Sequence, residues 1–283
     1  VEGEMTITRL ADDHFYLVSA AVGELKDREH FDSHTPPDAD VELTTVSADI
    51  GVLVLAGPRS RELLARCTDA SLDNEAFPWL TWQPVEVCGV ELRALRVGFT
   101  GELGWELHLP IEHMLDVYDG CWAAGHDLGV ADVGNHALNS LRMEKAYRIS
   151  RDMTHDVDPV EAGLDFFVKR DKGDFVGRDA LLARDARPRR WASTYLAVDT
   201  SVIDGKGADC IGGEGVFDGS DAVGLVSTGG YGYSTGSGYA FAWLDPSRSE
   251  PGTRLEVLVV GQRCCATVLG QAAYDPRNER LKM

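Results

Sequence analysis

No run of about 18 apolar residues interrupts the 283-residue chain, so a membrane-spanning helix is not expected. Basic residues are in short supply: 27 Lys and Arg stand against 46 Asp and Glu. The resulting formal charge of −19 repels a polyphosphate backbone, which argues against a nucleic-acid partner, and the acidity itself reads as a solvating surface. Cysteine is sparse and unpatterned. The six, at positions 67, 88, 121, 210, 264 and 265, form no CxxC pair and indicate neither zinc nor a disulfide framework. Eight histidines show no HExxH motif, and no metal site is expected. No GxxxxGK(S/T) loop is present, so the NTPase class recedes. The opening VEGEMTITRL lacks the basic and apolar regions of a secretory leader, which places the chain in the cytoplasm.

What the chain does have is a hydrophobic content of 44%, enough for a sizeable core in one large or two medium domains. MTITRL alternates as a strand, Ala11 to Asp13 turn, and FYLVSA returns as its hairpin partner. After the polar DSHTPPDAD, both VELTTVSAD and GVLVLAG read as strands, and GPRSRELLARC as a helix with Leu63, Leu64 and Cys67 on its apolar side. VEVCGVELRALRVGF predicts a hairpin bent at Cys88 and Gly89. IEHMLDVYDGCWAAGHDLG predicts a helix stopped by Gly129, and NHALNSLRMEKAYR a second one burying Ala137, Leu138 and Leu141. Beyond RDARPRR the character changes to glycine-rich turns and short β runs (TYLAVD, AVGLVST, YAFAWL, RLEVLVVG). The expected class is therefore α+β, with a boundary near residue 187 and an all-β domain after it.

GFTGELGWELH, residues 98 to 108, is over-specified for a plain strand. The chain should turn at Thr100 and Gly101 and run extended from Gly104 to Leu109. Alternation then puts Trp105 and Leu107 on one face and Glu106 on the other, level with Gly104 and His108. Taken alone, Glu106 reads as a solvent-facing acid, while Gly104 beside it leaves room for a flat ring to approach the backbone.

GFTGELGWELHLP, LNSLRMEKAYR, DVDPVEAGLDFFVK and DKGDFVGRDALL, in that order and preceded by VEGEMTITRLADDHFYLVSA, resemble the folate-binding part of the dimethylglycine and sarcosine dehydrogenase family. More distantly the chain is similar to the T-protein (aminomethyltransferase) of the glycine cleavage system, and the likeness extends over essentially its whole length. The resemblance implies a cloverleaf of three small domains around a central folate channel, with the last domain a β-barrel. It divides the chain into a folate-binding aminomethyltransferase-like region, 1–187, and a C-terminal barrel, 188–283. Val1 falls where relatives are already inside the first domain, so the chain reads as the C-terminal part of a longer protein that lacks the start of that domain. No GxGxxG fingerprint occurs, which assigns FAD to a separate or missing N-terminal domain.

For the site, the resemblance implies tetrahydrofolate as cofactor, its pterin ring N–H and amine donating to the Glu106 carboxylate. Phe99 stands where dehydrogenase relatives carry Tyr, keeping a ring without its hydroxyl, and Gly104 lets the ligand come close. Tyr147 and Arg148 border the channel, and Ser227 and Thr228 lie near it. Glu4 aligns with a family Asp that assists proton movement as a general base, one methylene longer. The T-protein Arg is replaced by Leu138, which fits the dehydrogenase branch. The function implied is one-carbon capture from an N-methylated, glycine-type amine, with a flavin domain in the same or another chain as partner. T-protein-like aminomethyl transfer, or folate binding without catalysis, stand as alternatives.

Overall fold

The computed structural model describes residues 1, 3–203 and 208–283. The chain forms two compact units: a sheet unit of residues 5–138 and 275–283, and a barrel unit of residues 1–4 and 139–274. Both combine strands and helices, so the α+β class holds.

The sheet unit opens on the hairpin expected from MTITRL, β1 (Met5–Ala11) and β2 (His14–Ser19). α1 (Glu24–His34) follows, a helix that hydropathy does not announce because it buries no residue. It is stabilised instead by acids in its first turn and by an Arg28–Asp32 pair at 2.8 Å. VELTTVSAD is not a strand. Residues 41–46 lack regular structure and the chain turns at 47–49, with Leu43 C=O held by Arg28 at 2.8 Å. Its alternation finds no ladder, since the neighbouring strand is met only from Ile50 onward.

There β3 (Ile50–Ala56) begins. It is followed by α2 (Ser60–Leu64), β4 (Trp82–Val87), β5 (Val90–Leu95), β6 (Gly104–Pro110) and α3 (Met114–Gly125). The strands form an antiparallel sheet in the order β3-β6-β5-β4. Its inner face presents Trp105, Leu107, Leu109, Ala94, Leu92, Val85 and Val87 to a core shared with Leu64, Phe77 and Val117. Burying each such side chain fully stabilises the fold by roughly 1.5–3 kcal/mol. The C-terminal segment returns to this unit: Leu281 is buried, and Arg96 donates to Met283 C=O at 2.8 Å.

α4 (Asn135–Glu144) passes into the barrel unit. Its buried side is not the expected apolar one: Ala137 is exposed and Leu138 and Leu141 are half-buried, whereas Ser140, Arg142, Met143 and Glu144 are buried. Periodicity assigns burial by hydropathy, and here it goes to polar groups with partners. Later come α5 (Arg178–Asp185), β7 (Ala192–Val198), β8 (Gly215–Asp218), β9 (Asp221–Gly232), β10 (Ser237–Leu244), β11 (Arg254–Val259) and β12 (Gln262–Leu269). The six strands close into a barrel in the order β10-β7-β12-β11-β8-β9, filled by residues such as Leu196, Val226, Val257 and Val268. Most of STGGYGYSTGSGYA lies within β9 and β10, and only Tyr233–Gly236 form the bend.

Candidate functional site

Register fixes what shares a face of the sheet. Val54, Glu106 and Leu95 stand directly opposite one another across β3, β6 and β5, and Val52, His108 and Arg93 form the next row. This is the face opposite the Trp105 core. On it Val52 is 40% and Val54 60% exposed, whereas His108 is only 1% exposed. The difference comes from the β1–β2 hairpin, which lies over the β4–β5 side of the face. Trp82 Nε1 donates to Arg9 C=O at 2.8 Å, and the Tyr16 ring meets His108 edge-on at 5.4 Å between centroids.

The hairpin thereby completes a chain of three groups. Tyr16 Oη lies 3.1 Å from His108 Nδ1, and His108 Nε2 lies 3.2 Å from Glu106 Oε2. A carboxylate only accepts, so the proton of the second contact is on Nε2; in the neutral ring Nδ1 then accepts from the Tyr16 hydroxyl. Burial raises the Tyr16 pKa, with the Glu106 charge adding to it and the Arg93 guanidinium, 5.0 Å above the ring, opposing it. Tyr16 therefore remains a donor at neutral pH. Glu106 keeps 27% of its side chain exposed, with one oxygen tethered to His108. The arrangement presents a carboxylate whose position is set from beneath, beside an apolar strip made by Val52 and Val54.

The other residues expected at the site fall as follows. Gly104 is on the Glu106 face, but its missing side chain serves packing: a Cβ there would lie 2.7 Å from Leu55 C=O and 3.0 Å from Ala56 Cα. The space read as room for a ring is filled by β3. Phe99 lies on the β5–β6 connection with 36% exposure, and Gly101, at φ +81°, makes the expected turn there. Glu4 and Tyr147 belong to the barrel unit. Glu4 is exposed as a residue, yet burial raises its carboxyl above the ordinary value. The Tyr147 backbone closes the end of α4, its N–H donating to Arg142 C=O at 2.9 Å and its C=O accepting from Arg142 Nη1 at 3.1 Å.

Ser227 and Thr228 are committed to structure. Both hydroxyls donate to Asp152 Oδ1, at 2.5 and 2.7 Å, while Asp152 Oδ2 accepts from Arg142 at 3.2 Å and from Ile149 N–H at 3.0 Å. Asp152 is fully buried and Arg142 2% exposed, so the two form a buried ion pair. Glu144 works differently, accepting from the backbone N–H of Ser234 and Thr235 at 2.6 and 2.9 Å and so fixing the β9–β10 bend. Arg148 donates to Ser193 Oγ at 3.1 Å and lies 4.7 Å over the Phe241 ring. A separate cleft of about 450 Å³ in the barrel unit, lined by residues including Phe167, Lys172 and Phe175, contains none of the expected residues. Sequence reasoning missed Tyr16 and Asp152, which no local pattern marks. It had His108 on the right face without a role.

Family comparison agrees with this architecture. Residues 1–172 match the GCVT N-terminal domain and residues 200–275 the glycine cleavage T-protein C-terminal barrel domain. The first match covers more than half of the chain, which therefore belongs to the glycine cleavage T-protein family and is an aminomethyltransferase-like protein. Among its relatives is the mitochondrial dimethylglycine dehydrogenase of Homo sapiens, 31% identical over 100% of this chain and 33% of that protein. An aminomethyltransferase from a Thermoanaerobacter species is 26% identical over 97% of this chain and 73% of its own length. The crystal structure of the glycine cleavage system aminomethyltransferase T from Bartonella henselae matches 96% of this chain and 72% of that one, with a TM-score of 0.80 at 24% identity, a likeness of fold. The chain spans about a third of the length of the dimethylglycine dehydrogenases it matches. No helix among the described residues is long and apolar enough to cross a membrane.

Proposed function

We propose that this chain binds a reduced folate and receives on it a one-carbon unit from an N-methylated amine. The observation that carries the reading is the Glu106 carboxylate, held by His108 and Tyr16 on the exposed part of the sheet face. A pterin edge offers a ring N–H and an exocyclic amine side by side, and a carboxylate can accept both. The donor set fits, because His108 engages one oxygen and each carboxylate oxygen has two lone-pair directions. The exposed Val54, directly across from Glu106, gives the face of a flat ring an apolar surface. Bound there, tetrahydrofolate would supply the nucleophilic nitrogen that takes up the one-carbon unit.

The chain's own residues divide the remaining tasks. Glu106 binds and orients. His108 is a positioning residue, whose burial and second hydrogen bond stop the carboxylate from swinging into solvent. Glu4 is the proposed general base; its raised pKa makes it a stronger proton acceptor than an ordinary carboxylate when ionised. Oxidation of the amine belongs to a flavin domain in this reading, with FAD held outside the residues described. Calorimetric titration of the chain with tetrahydrofolate tests the proposal: saturable binding at one equivalent that weakens in Glu106→Gln is expected, and the absence of binding would overturn it.

A further inference from the structure

Three cysteines that are far apart in sequence meet in the sheet unit. Cys67 lies in the turn after α2, Cys88 at the β4–β5 bend and Cys121 in α3, and their sulfurs all lie within 4.8 Å of one another. We propose that Cys67, Cys88 and Cys121 form a binding site for a thiophilic d10 metal ion, held through three sulfurs, with Cu(I) the ion it suits best.

Two local choices that run against backbone preference bring these sulfurs together. Cys88 and Gly89 make the bend at φ +52° and +82°. Asn or Asp is the favoured partner of glycine in such a turn, and a side chain without a local hydrogen bond to offer is disfavoured. Cys88 is held there by its own N–H, which donates to Cys67 C=O at 2.8 Å. The second choice is Gly120, inside α3, where glycine weakens a helix. A Cβ at Gly120 would lie 2.5 Å from Cys88 Sγ and 2.9 Å from its Cβ, so the absent side chain is what admits the Cys88 sulfur next to Cys121.

The geometry and chemistry agree. Three sulfurs about 2.3 Å from one ion lie about 4 Å apart, which the observed separations accommodate. All three cysteines are half-buried, so an ion can reach them. Among the described residues no His, Asp or Glu joins the group. Protein coordination is therefore three thiolates, a set that satisfies Cu(I), whereas Zn(II) would need a fourth ligand from solvent. Binding is a ligand exchange without electron transfer: the thiols release their protons to solvent and each sulfur donates a lone pair to the ion. Burial and the neighbouring Cys88 thiol push Cys67 up to about 11, and burial with both neighbours raises Cys121 further. Because the thiols must lose their protons to bind the ion, affinity climbs as pH rises.

The test is an anaerobic titration of the reduced full chain with Cu(I) against a chromophoric Cu(I) chelator, with Zn(II) titrated in parallel. One equivalent of Cu(I) should be retained, with three sulfurs around it by X-ray absorption. Affinity should fall at least 100-fold in each of Cys67→Ser, Cys88→Ser and Cys121→Ser, and stay unchanged in Cys265→Ser, which alters an exposed cysteine of the barrel. Gly120→Ala keeps every thiol but displaces the Cys88 sulfur, so it should weaken binding at unchanged secondary structure. Retention that survives the three serine variants, a count of two sulfurs, tighter holding of Zn(II) than of Cu(I), or no binding by the reduced protein would each overturn the proposal.

Discussion

Glu106→Gln separates the charge of the proposed ligand-binding carboxylate from its shape. The amide has the same length, and its carbonyl oxygen can still accept from His108 Nε2, now 3.2 Å from Glu106 Oε2. The Tyr16–His108 contact is untouched, and with 27% of the side chain exposed the substitution removes little buried area. Thermal stability should therefore stay close to that of the parent. Binding should not. A hydrogen bond to a charged group contributes about 1.5–3 kcal/mol net, so tetrahydrofolate affinity should drop by roughly ten- to 150-fold at about 1.4 kcal/mol per decade. Tyr16→Phe serves as the graded control: it frees one end of the relay without altering the carboxylate, and its cost in affinity should be smaller, on the order of a neutral hydrogen bond at about 1 kcal/mol. Calorimetric titration of the three proteins, with melting curves alongside, reads both quantities. Equal folate affinity in parent and Glu106→Gln, at equal stability, would remove Glu106 from the site and with it the observation on which the proposed function rests.

Further outcomes are expected for Glu4, Asp152 and Gly104. In a protein carrying a flavin domain, Glu4→Gln should slow methylene-tetrahydrofolate formation by roughly 100-fold while leaving folate affinity within a few-fold. Because burial raises the Glu4 carboxyl, the acid limb of the parent's rate profile should lie above the ordinary glutamate range, with activity lost as pH falls through it; the same raised pKa favours the protonated folded state, so Glu4 contributes stability at low pH that is lost as pH rises. An acid limb that persists unchanged in Glu4→Gln would dismiss it as the base. Asp152→Ala should destabilise by about 3–5 kcal/mol in urea unfolding, since it strands the buried Arg142 charge and two hydroxyls; a loss below about 1 kcal/mol would refute the network's structural role. Gly104→Ala should cost about 1–3 kcal/mol by forcing β3 and β6 apart, and an unchanged melting temperature combined with lost folate binding would return Gly104 to the ligand.

Much of the architecture was legible in the chain because it depends on neighbours in sequence. The two-residue period of MTITRL and GVLVLAG, the bend at Cys88 and Gly89, and the stop at Gly129 each gave the element now seen. The alternation of GWELHL also put Trp105 in the core and Glu106 opposite it. Where local rules had no purchase the reading failed: α1 has no apolar stripe to betray it, and VELTTVSAD alternates without a strand to pair with. What only the tertiary structure decided is which distant groups meet. His108 gained its role because a hairpin 92 residues away lays Tyr16 against it, Asp152 because β9 brings Ser227 and Thr228 onto its carboxylate, and Cys67, Cys88 and Cys121 because a turn, a bend and a helix converge. The physical reason is common to all three. Backbone period and turn chemistry act over a few residues and can be read in order, whereas burial of a polar group is favourable only once its partner is in place, and that partner is fixed by packing rather than by sequence distance.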